Sequence, residues 1–168
     1  MSRAVIALAV LLALVGPAWP AEWGGIEPGV SSRDDVRARY GAPTRESPIK
    51  VEGYDTVEWV YQEEQAPPGF VRMTIEFGIL APSGYKPTVV RLLKIQPRPG
   101  IFGRATIVQG WGLPDAVGDE KGLATFFFRA GLFVVFDTEG QDATMMIFSV
   151  PQPEGSASPA PPSAPPKQ

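Results

Sequence analysis

Histidine and cysteine are both missing from this chain. Without histidine, the Ser-His and Cys-His nucleophile pairs and histidine-ligated metal centres are closed. Without cysteine there is no thiol nucleophile, disulfide or thiolate metal site, and no residue for a lipoprotein acyl anchor. An excess of positive charge is missing too. Fifteen Lys and Arg stand against 18 Asp and Glu, a formal net charge of -3. A nucleic-acid binder usually carries a basic face, and attraction to anionic lipid needs a polybasic cluster. Neither is written here, so no nucleic-acid partner is expected.

Long apolar runs are confined to the start. MSRAVIALAVLLALVGPAWPA carries one charge, Arg3, then an unbroken apolar stretch from Ala4 to Val15, closed by Gly16 and Pro17. That is the pattern of a secretory signal peptide, assigned to residues 1–21. The run is short for a membrane span of ~20 residues, so no stable span is expected once the signal is removed. Cleavage after Ala18 has small Gly16 two places before it; cleavage after Ala21 avoids a Trp-Pro start. Both remain open. The expected location is periplasmic or secreted.

What the chain has in abundance is Gly, 18 residues, and Pro, 19. They punctuate a pattern written twice. VRARYGAP (36–43) returns seventy-one positions later as IVQGWGLP (107–114). Ser32 is placed as a helix N-cap, with Asp35 three residues on completing an acidic capping box and Asp34 also favouring the helix dipole. Val36 and Tyr40 share a helical face, Gly41 supplies the cap, and Pro43 stops the helix. In the second copy Ile107 and Trp111 take the apolar places, and Gly112 and Pro114 end the helix.

Strands follow each copy. DTVEWVYQ, GFVRMTIEFG and PTVVRLLKIQP follow the first; LATFFFRA, LFVVFD and ATMMIFSV follow the second. In the second of these, Val71, Met73, Ile75 and Phe77 alternate with Arg72, Thr74 and Glu76, the pattern of a half-buried strand. LFVVFD is apolar on both faces and is expected near the centre of a sheet. The expected fold is α+β: two tandem units, each a helix plus a three-stranded antiparallel sheet, packed together with helices on one face. The first unit covers 22–99 and the shorter second unit 100–152. Residues 153–168 continue a Pro-rich tail that buries too little apolar surface to offset ordering and is expected to be disordered.

GIEPGVSSRDDVRARYGAP followed by EWVY resembles the SmpA/OmlA (BamE-like) module of bacterial envelope proteins. The matching positions are Gly29, Ser31, Ser32, Asp35, Val36, Gly41, Pro43, Trp59 and Tyr61, within residues 26–77. Beta-lactamase inhibitory protein resembles a tandem pair of such modules. The resemblance implies helices on one face of an antiparallel sheet, and proteins that scaffold outer-membrane assembly or bind other proteins. This chain departs from the family in lacking the lipid-anchor Cys and in having no Trp-x-Tyr in its second half.

No residues are selected as catalytic, cofactor-binding or metal-binding. Asp137, Glu139 and Asp142 crowd one turn, but their spacing does not match a calcium loop, and a polar hairpin tip explains them. No cofactor is expected, and the chain is not read as an enzyme. The aromatic residues are the candidates for contact with a protein partner: Trp59, Tyr61, Phe126 and Phe128, with burial under the rest of the fold as the competing explanation. Phe127 takes the face opposite Phe126 and Phe128. Trp23 and Trp111 are expected in the core. The functional expectation is an exported, non-enzymatic protein-binding or scaffold module of the bacterial cell envelope, linked to outer-membrane assembly or maintenance. The alternative is a proteinaceous inhibitor or sensor of an envelope enzyme.

Overall fold

The computed structural model describes residues 20–152. The segment expected to be a signal peptide, apart from Pro20 and Ala21, and the expected tail from residue 153 lie outside the described residues.

The first helix, α1 (Arg33–Tyr40), starts where the capping box requires. The Asp35 amide donates to Ser32 Oγ at 3.3 Å, and the Ser32 amide donates to Asp35 Oδ2 at 2.7 Å. The Ser32 amide, and the Ser32 hydroxyl donating to the same oxygen at 2.7 Å, hold the pKa of the Asp35 carboxyl below its ordinary value. A cap of this kind stabilises a helix end by ~1 kcal/mol. Gly41, at φ +76°, ends the helix with its N–H donating to the Arg37 carbonyl. The second helix, α2 (Arg104–Trp111), ends the same way at Gly112, whose N–H donates to the Val108 carbonyl. Its N-cap is Gly103, with no capping side chain. Each helix buries one residue completely, Val36 and Ile107.

The strands are β1 (Arg45–Val51), β2 (Tyr54–Gln62), β3 (Phe70–Ala81), β4 (Gly84–Pro97), β5 (Ala116–Glu120), β6 (Leu123–Phe128), β7 (Leu132–Phe136) and β8 (Ala143–Ser149). All eight form one antiparallel sheet in the order β1-β2-β3-β4-β8-β7-β6-β5. This overturns the expectation of two tandem helix-plus-three-stranded units. Four strands follow each helix, and the two sets join edge to edge. Leu92, Leu93, Lys94 and Ile95 of β4 pair with Ser149, Phe148, Ile147 and Met146 of β8. The architecture is sheet-dominated, with two short helices.

The missing strands explain the error. RESPIKV and AVGDE are the outer strands, β1 and β5, and neither carries apolar alternation. An edge strand is half solvated, so burial leaves little mark on its sequence. Pro48 and Gly118 read as breakers, yet at an edge proline forfeits only a hydrogen bond that has no strand to meet it. Joining the sheets is equally silent: β4–β8 pairing uses backbone groups, and burying β4 as an interior strand removes what would otherwise be an open edge.

One core serves the whole sheet. Trp59, Tyr61, Met73, Ile75, Phe77, Val90, Leu93 and Ile95 from β2–β4 meet Phe126, Phe128, Val134, Phe136, Met146 and Phe148 from β6–β8, with Val36 and Ile107 from the helices. Trp23 closes one end. Its ring packs edge-on to Phe70 and Phe102, each at 5.4 Å between centroids, and lies 6.4 Å from Trp111. Ala21 is also part of this core: it is buried, and its amide donates to the Ala130 carbonyl at 2.8 Å. Cleavage after Ala18 would keep that residue; cleavage after Ala21 would remove it.

Candidate functional site

Strand alternation gives the sheet two faces, and the helices cover only one. Trp59 and Tyr61, both expected as contact residues, lie fully buried in the helix-covered core, and Phe126 and Phe128 are buried there too. None of the four presents a surface to a partner. Their surroundings explain why. The Trp59 indole N–H donates to Glu46 Oε2 at 2.5 Å, and the Arg37 guanidinium lies 5.1 Å from its ring centroid. The Tyr61 hydroxyl donates to the Gly41 carbonyl at 3.0 Å, tying β2 to the end of α1, and burial pushes its pKa up to about 12. Phe126 packs edge-on to Phe136 at 4.8 Å, under Arg104. The alternation showed two faces but carried no mark of which one the helices cover.

The residues with the opposite parity build the other face. Pairing places Glu58 beside Glu76, Val60 beside Thr74, Thr74 beside Lys94, Lys94 beside Ile147, Ile147 beside Phe133, Phe133 beside Phe127, and Met145 beside Val135. None of this series belongs to the contiguous core cluster, although Val60 and Glu76 are buried. The face divides along the β4–β8 seam. On the β6–β8 side, Phe127, Phe133, Val135, Met145 and Ile147 are half-buried, and Leu92 of β4 extends the tract across the seam. Phe127 was placed on this face by the alternation of the FFF run. LFVVFD also carried the signal: an apolar strand on both faces needs cover for both, and only one is covered by described residues.

On the β1–β4 side the face is charged. A bulge between Glu76 and Phe77 leaves Arg91 without a pairing partner on β3 and turns it toward Glu76. Arg91 and Lys94 both bond that carboxylate, Lys94 Nζ at 2.6 Å. Burial of Glu76 alone would raise its pKa, but the bonds and charges of Lys94 and Arg91 outweigh burial and hold it below its ordinary value. Arg72 donates to the neutral Gln62 amide oxygen at 2.8 Å. Arg45, Arg72 and Glu58 belong to none of the ion pairs among the described residues. A cavity of about 200 Å3 lies over β1–β4 and reaches the seam at Met145 of β8; Arg45, Glu58, Val60, Arg72, Thr74, Lys94 and Gln96 line the rest of it.

A second depression, about 250 Å3, lies at the strand ends beside Val71, Pro97, Pro99, Asp137 and Asp142. Its carboxylates serve local structure: Asp137 Oδ1 accepts the Gln141 amide, and Asp142 Oδ2 accepts the Gly100 amide, both at 2.8 Å. Among the described residues no group of three or more side chains is placed to hold a metal ion. No described helix is long and apolar enough to cross a membrane.

No family model matches the chain, and no curated protein does. Among solved structures the chain is similar to YjgB, a DUF4309 family protein from Bacillus subtilis. The identity is 13%, covering 78% of this chain and 86% of that one, with a TM-score of 0.49.

Proposed function

We propose that the protein is an exported, non-enzymatic protein-binding module of the bacterial cell envelope, and that the helix-free face of its sheet is the contact surface. The supporting observation is the continuous apolar tract of Leu92, Phe127, Phe133, Val135, Met145 and Ile147, which no described element covers. Open apolar surface of this kind marks protein contact. The envelope location rests on the apolar run after Arg3 and on the resemblance to the SmpA/OmlA module. A second reading, an inhibitor or sensor of an envelope enzyme, draws on the same face: Phe127 and Phe133 pair across neighbouring strands and offer rigid aromatic anchors, the residue type that dominates tight interfaces.

Affinity capture from a crosslinked envelope fraction, run in parallel with substituted baits, tests the assignment. The wild-type chain is expected to recover a partner that Phe133→Glu and Ile147→Glu lose by at least tenfold, while the exposed control Val71→Glu keeps it. Recovery of the same proteins at equal yield by all four baits would contradict the assignment.

A further inference from the structure

The binding face is chemically divided, and the division selects a partner. Arg45, Arg72, Arg91 and Lys94 point into the charged half against two carboxylates, Glu58 and Glu76. That is a surplus of two positive charges (four minus two) on one patch of a chain whose net charge is -3. Glu76 is saturated by Arg91 and Lys94. Arg45 and Arg72 are paired with no carboxylate among the described residues, and both line the cavity that reaches the seam at Met145.

Resting on the reading of this face as a contact surface, we infer that the seam receives an extended acidic-apolar protein segment. An Asp or Glu of that segment enters between Arg45 and Arg72, and the apolar side chains two and four positions along, on the same face of the extended segment, reach across β4 to Met145 and Ile147. A guanidinium fork matches a carboxylate geometrically, and the strength of the match rises as water is excluded. The adjoining apolar tract supplies that exclusion and contributes burial of its own. Glu58 lines the same cavity and opposes a second anion, so one carboxylate fits better than a run of them. An acyl lipid with an anionic head shares the charge pattern but not the shape: the tract is an open sheet surface and offers no enclosed channel for a chain.

The test uses the exported chain with its Pro-rich tail and three blocked pentapeptides as probes, each with its first, third and fifth side chains on one face when extended: Glu-Ser-Leu-Ser-Phe, Gln-Ser-Leu-Ser-Phe and Lys-Ser-Leu-Ser-Phe. Affinities are read from amide shifts in two-dimensional NMR. The acidic peptide is expected to bind at least tenfold tighter than the basic one, with shifts concentrated in β3, β4 and β8. Arg45→Gln with Arg72→Gln is expected to erase that preference while leaving the neutral peptide's affinity within about twofold. Raising salt to 0.5 M is expected to narrow the acidic preference, because exposed charges are screened within a few ångströms there. Equal affinity for all three peptides, or a basic preference, overturns the inference and leaves the contact surface standing. If no peptide shifts the face, both readings fall. Three further outcomes overturn the acidic-partner assignment by naming another occupant. Face signals that move with protein concentration identify a second copy. Signals that move on deleting residues 153–168 identify the chain's own tail. Shifts produced by anionic vesicles and not by peptide identify a lipid.

Discussion

Trp59→Ala is expected to lower the unfolding free energy by about 3–5 kcal/mol, the usual cost of truncating a large buried aromatic. The side chain is fully buried on β2, packs edge-on to Phe77 at 5.0 Å, and anchors Arg37 over its ring. Its loss also leaves Glu46 without the indole donor and removes the surface on which Arg33 and Arg37 of α1 rest. Chemical denaturation followed by far-ultraviolet circular dichroism measures the effect. Trp59→Phe is expected to recover more than half of it, because the ring volume returns while the Glu46 bond does not. A loss below 1 kcal/mol for the alanine variant would mean that the ring is solvated and that the two faces of the sheet have been assigned the wrong way round.

Gly131→Ala is the second large effect, expected at about 2–4 kcal/mol from backbone strain and steric overlap together. Gly131 closes the short turn between β6 and β7. Its φ of +105° lies where a side chain is strongly disfavoured, and a Cβ there would run into the Ser149 carbonyl. The same residue accepts the Ser149 amide at 2.8 Å, which ties the turn to the end of β8. The substitution therefore strains the turn and pushes away the strand that joins the two sets of four. Gly53, also at positive φ but with open space around the added Cβ, is the matched control and is expected to lose distinctly less. Equal losses at the two sites would leave only the φ term and remove the argument from the Ser149 contact.

Where the chain punctuates itself, its reading was sound. The caps at Ser32, Gly41 and Gly112 placed both helices, because a capping side chain or a left-handed glycine is a local requirement that the residue itself reveals. The alternation of Met73, Ile75 and Phe77 placed β3 for the same reason: burial on one side imposes a period of two. What escaped was non-local. β1 and β5 have one free edge and little burial, so charge, Pro48 and Gly118 are tolerated in them and no pattern forms. The β4–β8 junction is made by backbone groups common to every residue. The candidate site was half legible. The outward parity of Phe127 and the doubly apolar β7 were visible, but the choice of covered face depended on where Val36 and Ile107 land. That choice moved the expected contacts from Trp59, Tyr61, Phe126 and Phe128 to their neighbours on the same strands.

The central claim is that the helix-free face is open in the whole chain, and β8 supplies an internal comparison. Met145 and Met146 are adjacent and point to opposite faces, one half-buried and one fully buried. With 13C-labelled methionine and isoleucine methyls in the protein, tail included, a soluble gadolinium chelate is expected to relax Met145 and Ile147 several times faster than Met146. Equal protection of Met145 and Met146 would mean that the face is covered, and the contact surface proposed for it would not exist.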